Sequence, residues 1–102
     1  MTLEEFVTLF DNCGIPIAFD HFRTEQSLPY LVYIIYANDQ FAADNITFHS
    51  APEIQLELYT EQKDMSKEST VEGIISGFYY EKEEGYLDSE QMYMVAYRFA
   101  LQ

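Results

Sequence analysis

Glu53-Ile54-Gln55-Leu56-Glu57-Leu58-Tyr59-Thr60 alternates strictly, with Ile54, Leu56 and Leu58 on one side and Glu53, Gln55 and Glu57 on the other. Successive side chains of a strand point to opposite faces, so this period of two describes a strand half in a core and half in water. A strand of that kind belongs to an antiparallel sheet with one packed face.

Upstream, Pro52 interrupts the chain, and Asn45-Ile46-Thr47-Phe48-His49, with Phe41 ahead of it, is predicted as a short returning strand. Asn38-Asp39-Gln40 supplies turn residues. Pro29 opens Tyr30-Leu31-Val32-Tyr33-Ile34-Ile35-Tyr36, which is apolar on both faces and is expected to lie centrally. The polar stretch from Arg23 to Leu28 reads as a loop. Before it, Ile15 to Phe22 alternates, with Ile15, Ile17, Phe19 and His21 on one side. Pro16 cannot donate to a ladder, so this strand starts there or lies on an edge. Thr2-Leu3-Glu4-Glu5 is a capping box, and Leu3, Phe6, Val7 and Phe10 follow at helical spacing. A first helix is therefore predicted over residues 3–13, stopped by a left-handed Gly14.

Downstream, Lys63-Asp64 leads into a second predicted helix over residues 65–76, with Val71, Ile74 and Ile75 as its apolar stripe and Gly77 at its end. Phe78-Tyr79-Tyr80-Glu81 is predicted to leave as a strand, Glu83-Glu84-Gly85-Tyr86 to turn, and Glu90 to Leu101 to return with Tyr93, Val95, Tyr97, Phe99 and Leu101 on one face. The expected order is α-β-β-β-β-α-β-β. It describes an α+β domain over residues 1–102, with a mainly antiparallel sheet of five to six strands and two helices on one face.

The 102 residues suit one domain, and 48% hydrophobic with 17% aromatic content suits a packed core. Eighteen acidic residues face five basic ones, a net charge of −13. Phosphate neutralisation needs a Lys/Arg patch, so tight nucleic-acid binding is excluded, and anionic membranes are disfavoured for the same reason. A lone Cys13 permits neither an intrachain disulfide nor a thiolate zinc site and fits a reducing compartment. The first residues, Met1-Thr2-Leu3-Glu4-Glu5-Phe6, lack a signal peptide's basic and apolar regions, and the apolar run Leu31–Ala37 is too short to span a bilayer. A cytoplasmic protein is expected.

Reactive chemistry is sparse. Cys13 is expected at a helix C-terminus, where the dipole disfavours a thiolate, and His21 and His49 have no ligand-spaced partners. Glu83, Glu84, Asp88 and Glu90 are the densest acidic group but lack the order of a calcium loop. No enzyme, cofactor or metal is expected. Nine tyrosines exceed what one small core buries; the surplus suits cross-strand pairing and also a protein interface.

Pro29-Tyr30-Leu31-Val32-Tyr33, Phe41-Ala42-Ala43-Asp44-Asn45, Glu57-Leu58-Tyr59-Thr60 with Lys63-Asp64, and Phe78-Tyr79-Tyr80-Glu81-Lys82 with Tyr86-Leu87-Asp88-Ser89-Glu90 and Tyr93 form a pattern spanning most of the chain. It resembles the small neck and tail proteins of tailed phages and prophages, and is most similar to the tail-terminator (tail-completion, head-tail joining) family. The resemblance implies a ring, usually a hexamer, that caps the tail tube and meets the head connector. It would assemble in the host cytoplasm and end in the virion neck or tail, without catalytic residues or cofactors. In such a ring an acidic lumen would let DNA slide without sticking, and Glu4, Glu5 and Asp11, or Glu83, Glu84, Asp88 and Glu90, are the candidates for it. The loop Asn38–Asp44, with Asp39, Phe41 and Asp44, is a candidate contact between subunits. The alternatives are a monomeric adaptor or assembly chaperone and an acidic DNA-mimic inhibitor. The last would need carboxylates arrayed along one surface, and the alternation scatters them.

Overall fold

The computed structural model describes residues 1–37 and 52–101, and within them the chain runs α1 (Leu3–Thr8), β1 (Ile17–Phe19), β2 (Tyr30–Ala37), β3 (Glu53–Thr60), α2 (Met65–Ile74), β4 (Glu81–Leu87) and β5 (Met92–Ala100). The five strands make one sheet in the order β1-β2-β3-β5-β4. The fold class is α+β, as expected, but the sheet is mixed. β1 pairs parallel with β2, while the other three neighbouring pairs are antiparallel. Alternation marks a strand without giving its neighbour's direction. Here the loop after β1 brings the chain back to β1's own starting end, where the Leu31 N–H donates to the Pro16 carbonyl at 2.8 Å. The strand predicted over residues 45–49 lies outside the described residues.

β3 behaves as its alternation requires: Ile54, Leu56 and Leu58 are wholly buried and Glu53 is exposed. Register extends that buried face across the sheet, aligning Leu31, Leu58 and Val95, then Tyr33, Leu56 and Tyr97, then Ile35, Ile54 and Phe99. Both helices lie on this face. The Phe6 ring of α1 sits 5.8 Å from Tyr33 and 5.6 Å from Phe99, and α2 contributes Val71 with Ile75 just beyond it. Burying a large aliphatic side chain contributes roughly 1.5–3 kcal/mol, so this layer dominates stability.

The helix ends are corrected. The capping box forms, with the Glu5 N–H donating to Thr2 Oγ1 at 3.0 Å and the Thr2 N–H to Glu5 Oε1 at 2.8 Å. Yet α1 stops at Thr8 instead of residue 13, because the chain tightens into three-residue turns: the N–H groups of Leu9, Phe10 and Asp11 donate to Phe6, Val7 and Thr8. Gly14 then adopts φ +83°, the predicted left-handed conformation. α2 begins where expected, capped by Asp64, but ends at Ile74, and its last turns close without Gly77 entering the left-handed region.

The last hairpin is shifted from its predicted position. Residues 83–86 do not turn; they lie in β4, with Gly85 opposite Met94. The turn is Asp88–Gln91, closed by a left-handed Gln91 at φ 54° and by its N–H on the Asp88 carbonyl at 3.3 Å. Charged residues are at home on an edge strand, where they oppose unwanted pairing, so the acidity of residues 81–84 is compatible with β structure. Residues 78–80, predicted as strand, lead into it, with Tyr79 95% exposed.

Candidate functional site

The helix-covered face holds a cluster of charge. β4 turns Lys82 and Glu84 toward α2 at the strand period of two, and α2 presents Glu68 and Glu72 one turn apart. Glu68 is only 4% exposed and is bound by two ammonium groups, Lys63 at 2.9 and 3.0 Å and Lys82 at 2.9 Å. Lys82 also meets Glu72 at 2.7 Å, and Lys63 pairs with Glu84. Two phenols complete the set, Tyr97 donating to Glu72 at 2.8 Å and Tyr93 to Glu84 at 2.6 Å. Burial pulls the Glu72 carboxyl up, but Lys82 and Tyr97 outweigh it and the net shift is down. Burial likewise pulls Lys82 down while Glu72 and Glu68 push it further up. Each acid is matched by a base or a phenol, and the arrangement acts as a clamp between α2 and the hairpin.

The opposite face is different. It carries Tyr30, Val32 and Ile34 of β2, Gln55, Glu57 and Tyr59 of β3, and Met94, Ala96 and Arg98 of β5, with Val32 and Ala96 buried. Neither helix covers it, and among the described residues the loop 20–28 borders it. Loop and strands line a half-open cavity of about 440 Å³. Its walls include the rings of Phe22, Tyr30 and Tyr59, with centroids 5.4 Å apart for Phe22–Tyr30 and 5.2 Å for Tyr30–Tyr59. The Glu57 carboxylate accepts from Tyr59 Oη at 2.7 Å and from Gln55 Nε2, and Gln55 in turn accepts from Arg98 Nε at 2.7 Å. Burial, and then the Glu57 bond, push the Tyr59 phenol far above its usual range. A broader hollow of about 750 Å³ lies between Ser27–Pro29 and Thr60–Lys67, and two of its charged groups are engaged elsewhere: Lys63 binds Glu68 and Asp64 caps α2.

The acids singled out in the sequence do not converge. Glu4 and Glu5 begin α1, where Glu5 is held by the capping box, and Asp11 is exposed in the following turns. α1 sits over the sheet end of Ile35, Ile54 and Phe99; the turn bearing Asp88 and Glu90 projects from the end of Tyr30, Tyr59 and Met94. Glu83 lies on the open face with its side chain 77% exposed, whereas Glu84 points inward to Lys63 and Tyr93. Asp39, Phe41 and Asp44 lie outside the described residues, as does His49. His21 is exposed, with Nδ1 3.0 Å from Asp20, and the Cys13 thiol contacts the Ile15 backbone. Among the described residues no three of His, Cys, Asp or Glu are placed to hold a metal, and no helix is long and apolar enough to cross a membrane. Neither the clamp nor the aromatic cavity was singled out in the sequence. The available signals were the rarity of cations, which made Lys63 and Lys82 conspicuous, and the same-face spacing of Glu57 and Tyr59.

No protein-family model matches the chain, and neither the curated proteins nor the solved structures give a match. Fold and surface together define, over the described residues, an α+β arrangement with one sheet face closed by helices and aromatic and methionine side chains on the other.

Proposed function

We propose that the chain is a non-catalytic assembly subunit, a ring-forming tail-terminator or head-tail joining protein of a tailed phage or prophage. Its partners are copies of itself, tail-tube protein on one side and head connector on the other. The observation that carries the reading is the sheet face left open by both helices, where Tyr30, Ile34, Tyr59 and Met94 are only half buried. Interface cores favour Tyr and Met, and a satisfied internal clamp leaves that face as the surface with material to offer. A ring needs two unlike complementary patches on each subunit. The two sheet edges are unlike: β1 is three residues long and ends on a 52% exposed Phe19, while β4 is seven residues long and carries Glu81, Glu83 and Glu84. A net charge of −13 keeps a passing phosphate backbone from sticking. Light scattering over a wide concentration range tests the ring. A closed species of about six subunits is expected, and a strict monomer at every concentration would overturn it.

A further inference from the structure

The cavity on the open face has an unbalanced charge. Its lining includes the carboxylates of Asp20, Glu25 and Glu57 and no Lys or Arg side chain. The chain's five cations are Arg23, Lys63, Lys67, Lys82 and Arg98. Lys63 and Lys82 are held in the clamp, Arg98 donates to Gln55, and Lys67 lines the other hollow. Arg23 is exposed on the bordering loop without lining the cavity. Glu57 is half buried, and each of its oxygens accepts one hydrogen bond, Oε1 from Tyr59 and Oε2 from Gln55. A carboxylate oxygen accepts two, so among the described residues one acceptor position remains on each.

An acceptor position on each oxygen of one carboxylate suits the planar fork of a guanidinium, which donates bidentately and stacks on aromatic faces. The rings of Phe22, Tyr30 and Tyr59 supply those faces, and their electron-rich surfaces add attraction for a cation. A compact ammonium would use the charge but neither the fork nor the stacking. We infer that this cavity binds an arginine side chain of a partner protein, its guanidinium forked onto Glu57 and walled by Tyr30 and Phe22. Only the protein origin of that arginine rests on the assembly reading; the chemistry of the cavity does not.

The test titrates the full chain with N-acetyl-arginine amide, with its neutral isostere N-acetyl-citrulline amide and with N-acetyl-lysine amide, following the backbone amide resonances of Tyr30, Glu57 and Met92. Saturable shifts with the arginine compound, none with citrulline and weaker binding of lysine are expected. Glu57→Gln should weaken arginine binding roughly tenfold or more, the effect of losing bonds to a charged group. Tyr30→Leu should weaken it severalfold and leaves the carboxylate in place if the first variant folds poorly. Equal shifts with citrulline, equal affinity for lysine, or no saturation with arginine would each overturn the inference. Arginine binding by a strictly monomeric chain would sink the ring and keep the site; a ring without arginine binding would do the reverse.

Discussion

Glu68 shows how far one residue depends on its neighbours. A carboxylate 4% exposed is costly to bury unless it is paired and hydrogen-bonded, and here two ammonium groups satisfy it. Lys82 carries more of the arrangement than Lys63 because it reaches Glu68, Glu72 and, at 4.0 Å, Glu84, where Lys63 reaches Glu68 and Glu84, and because its side chain is 30% exposed against 41%. Lys82→Met keeps the aliphatic stem and removes the charge, leaving Glu72 with Tyr97 and Glu68 with Lys63 alone. Removing one partner of a buried pair costs 3–5 kcal/mol when nothing replaces it, so with those partners remaining the loss should be about 1–3 kcal/mol in urea unfolding. Lys67→Met, outside the clamp, serves as the control and should stay within about 0.5 kcal/mol. Equal effects of the two substitutions would show that the clamp contributes nothing specific.

Of the two helices, α2 buries less apolar surface for its length. Over ten residues it buries Val71 and the paired Glu68, while Met65 at its start is 72% exposed. Its first turn is held by the Asp64 carboxylate, which accepts the Lys67 N–H at 3.0 Å. Asp64→Ala leaves that donor without its side-chain acceptor and should cost about 1 kcal/mol, whereas Asp64→Asn should retain most of it. Amide exchange would place the loss in residues 65–70; protection lost evenly across the sheet would argue against a local cap. β3 and β5, by contrast, are pinned on both sides by neighbouring strands and by the buried layer.

At the scale of the whole molecule, two electrostatic effects oppose each other. A net charge of −13 repels itself, and that repulsion eases as pH falls toward the isoelectric point near 4.1. The clamp works the other way. Glu84 is held low by Lys63 and Tyr93, and Glu72 is low on balance, against a usual value of 4.5. A depressed folded pKa gives stability that is complete above the unfolded value and is lost as pH falls through the folded one. Lys82 is raised on balance, and Tyr97 is raised by burial and then by Glu72. Their stabilisation is complete below about pH 10 and is lost as pH rises further. The melting temperature should therefore climb as pH drops from about 8 to about 5 and fall below about 4.5. Moderate NaCl at neutral pH should raise it by screening the repulsion, while the partly buried clamp is screened less. A melting temperature that falls with added NaCl would show the ion pairs outweighing the net charge.

Much of the fold was legible in the residues because it is written locally. The strict alternation of residues 53–60 gave β3 its two faces, the alternation after Met92 did the same for β5, and Thr2 with Glu5 announced the start of α1. Those features depend on neighbours two to four residues away, which the sequence places directly. The parallel β1–β2 edge was not legible, since a strand's period is the same whichever way its neighbour runs. The turn at residues 88–91 escaped because Gly85 and the acids before it suit a turn and an exposed edge strand equally, and the choice between them is made by pairing with β5. The clamp joins Lys63, Glu68, Lys82 and Glu84, and the aromatic cavity joins Phe22 and Tyr30 to Glu57 and Tyr59. Both unite residues far apart in the chain. What the sequence by itself determined is the α+β class, the buried face and the excess of acid. The tertiary structure alone decided which charges meet a partner and which face the helices cover, because burial and strand register bring distant side chains within bonding distance.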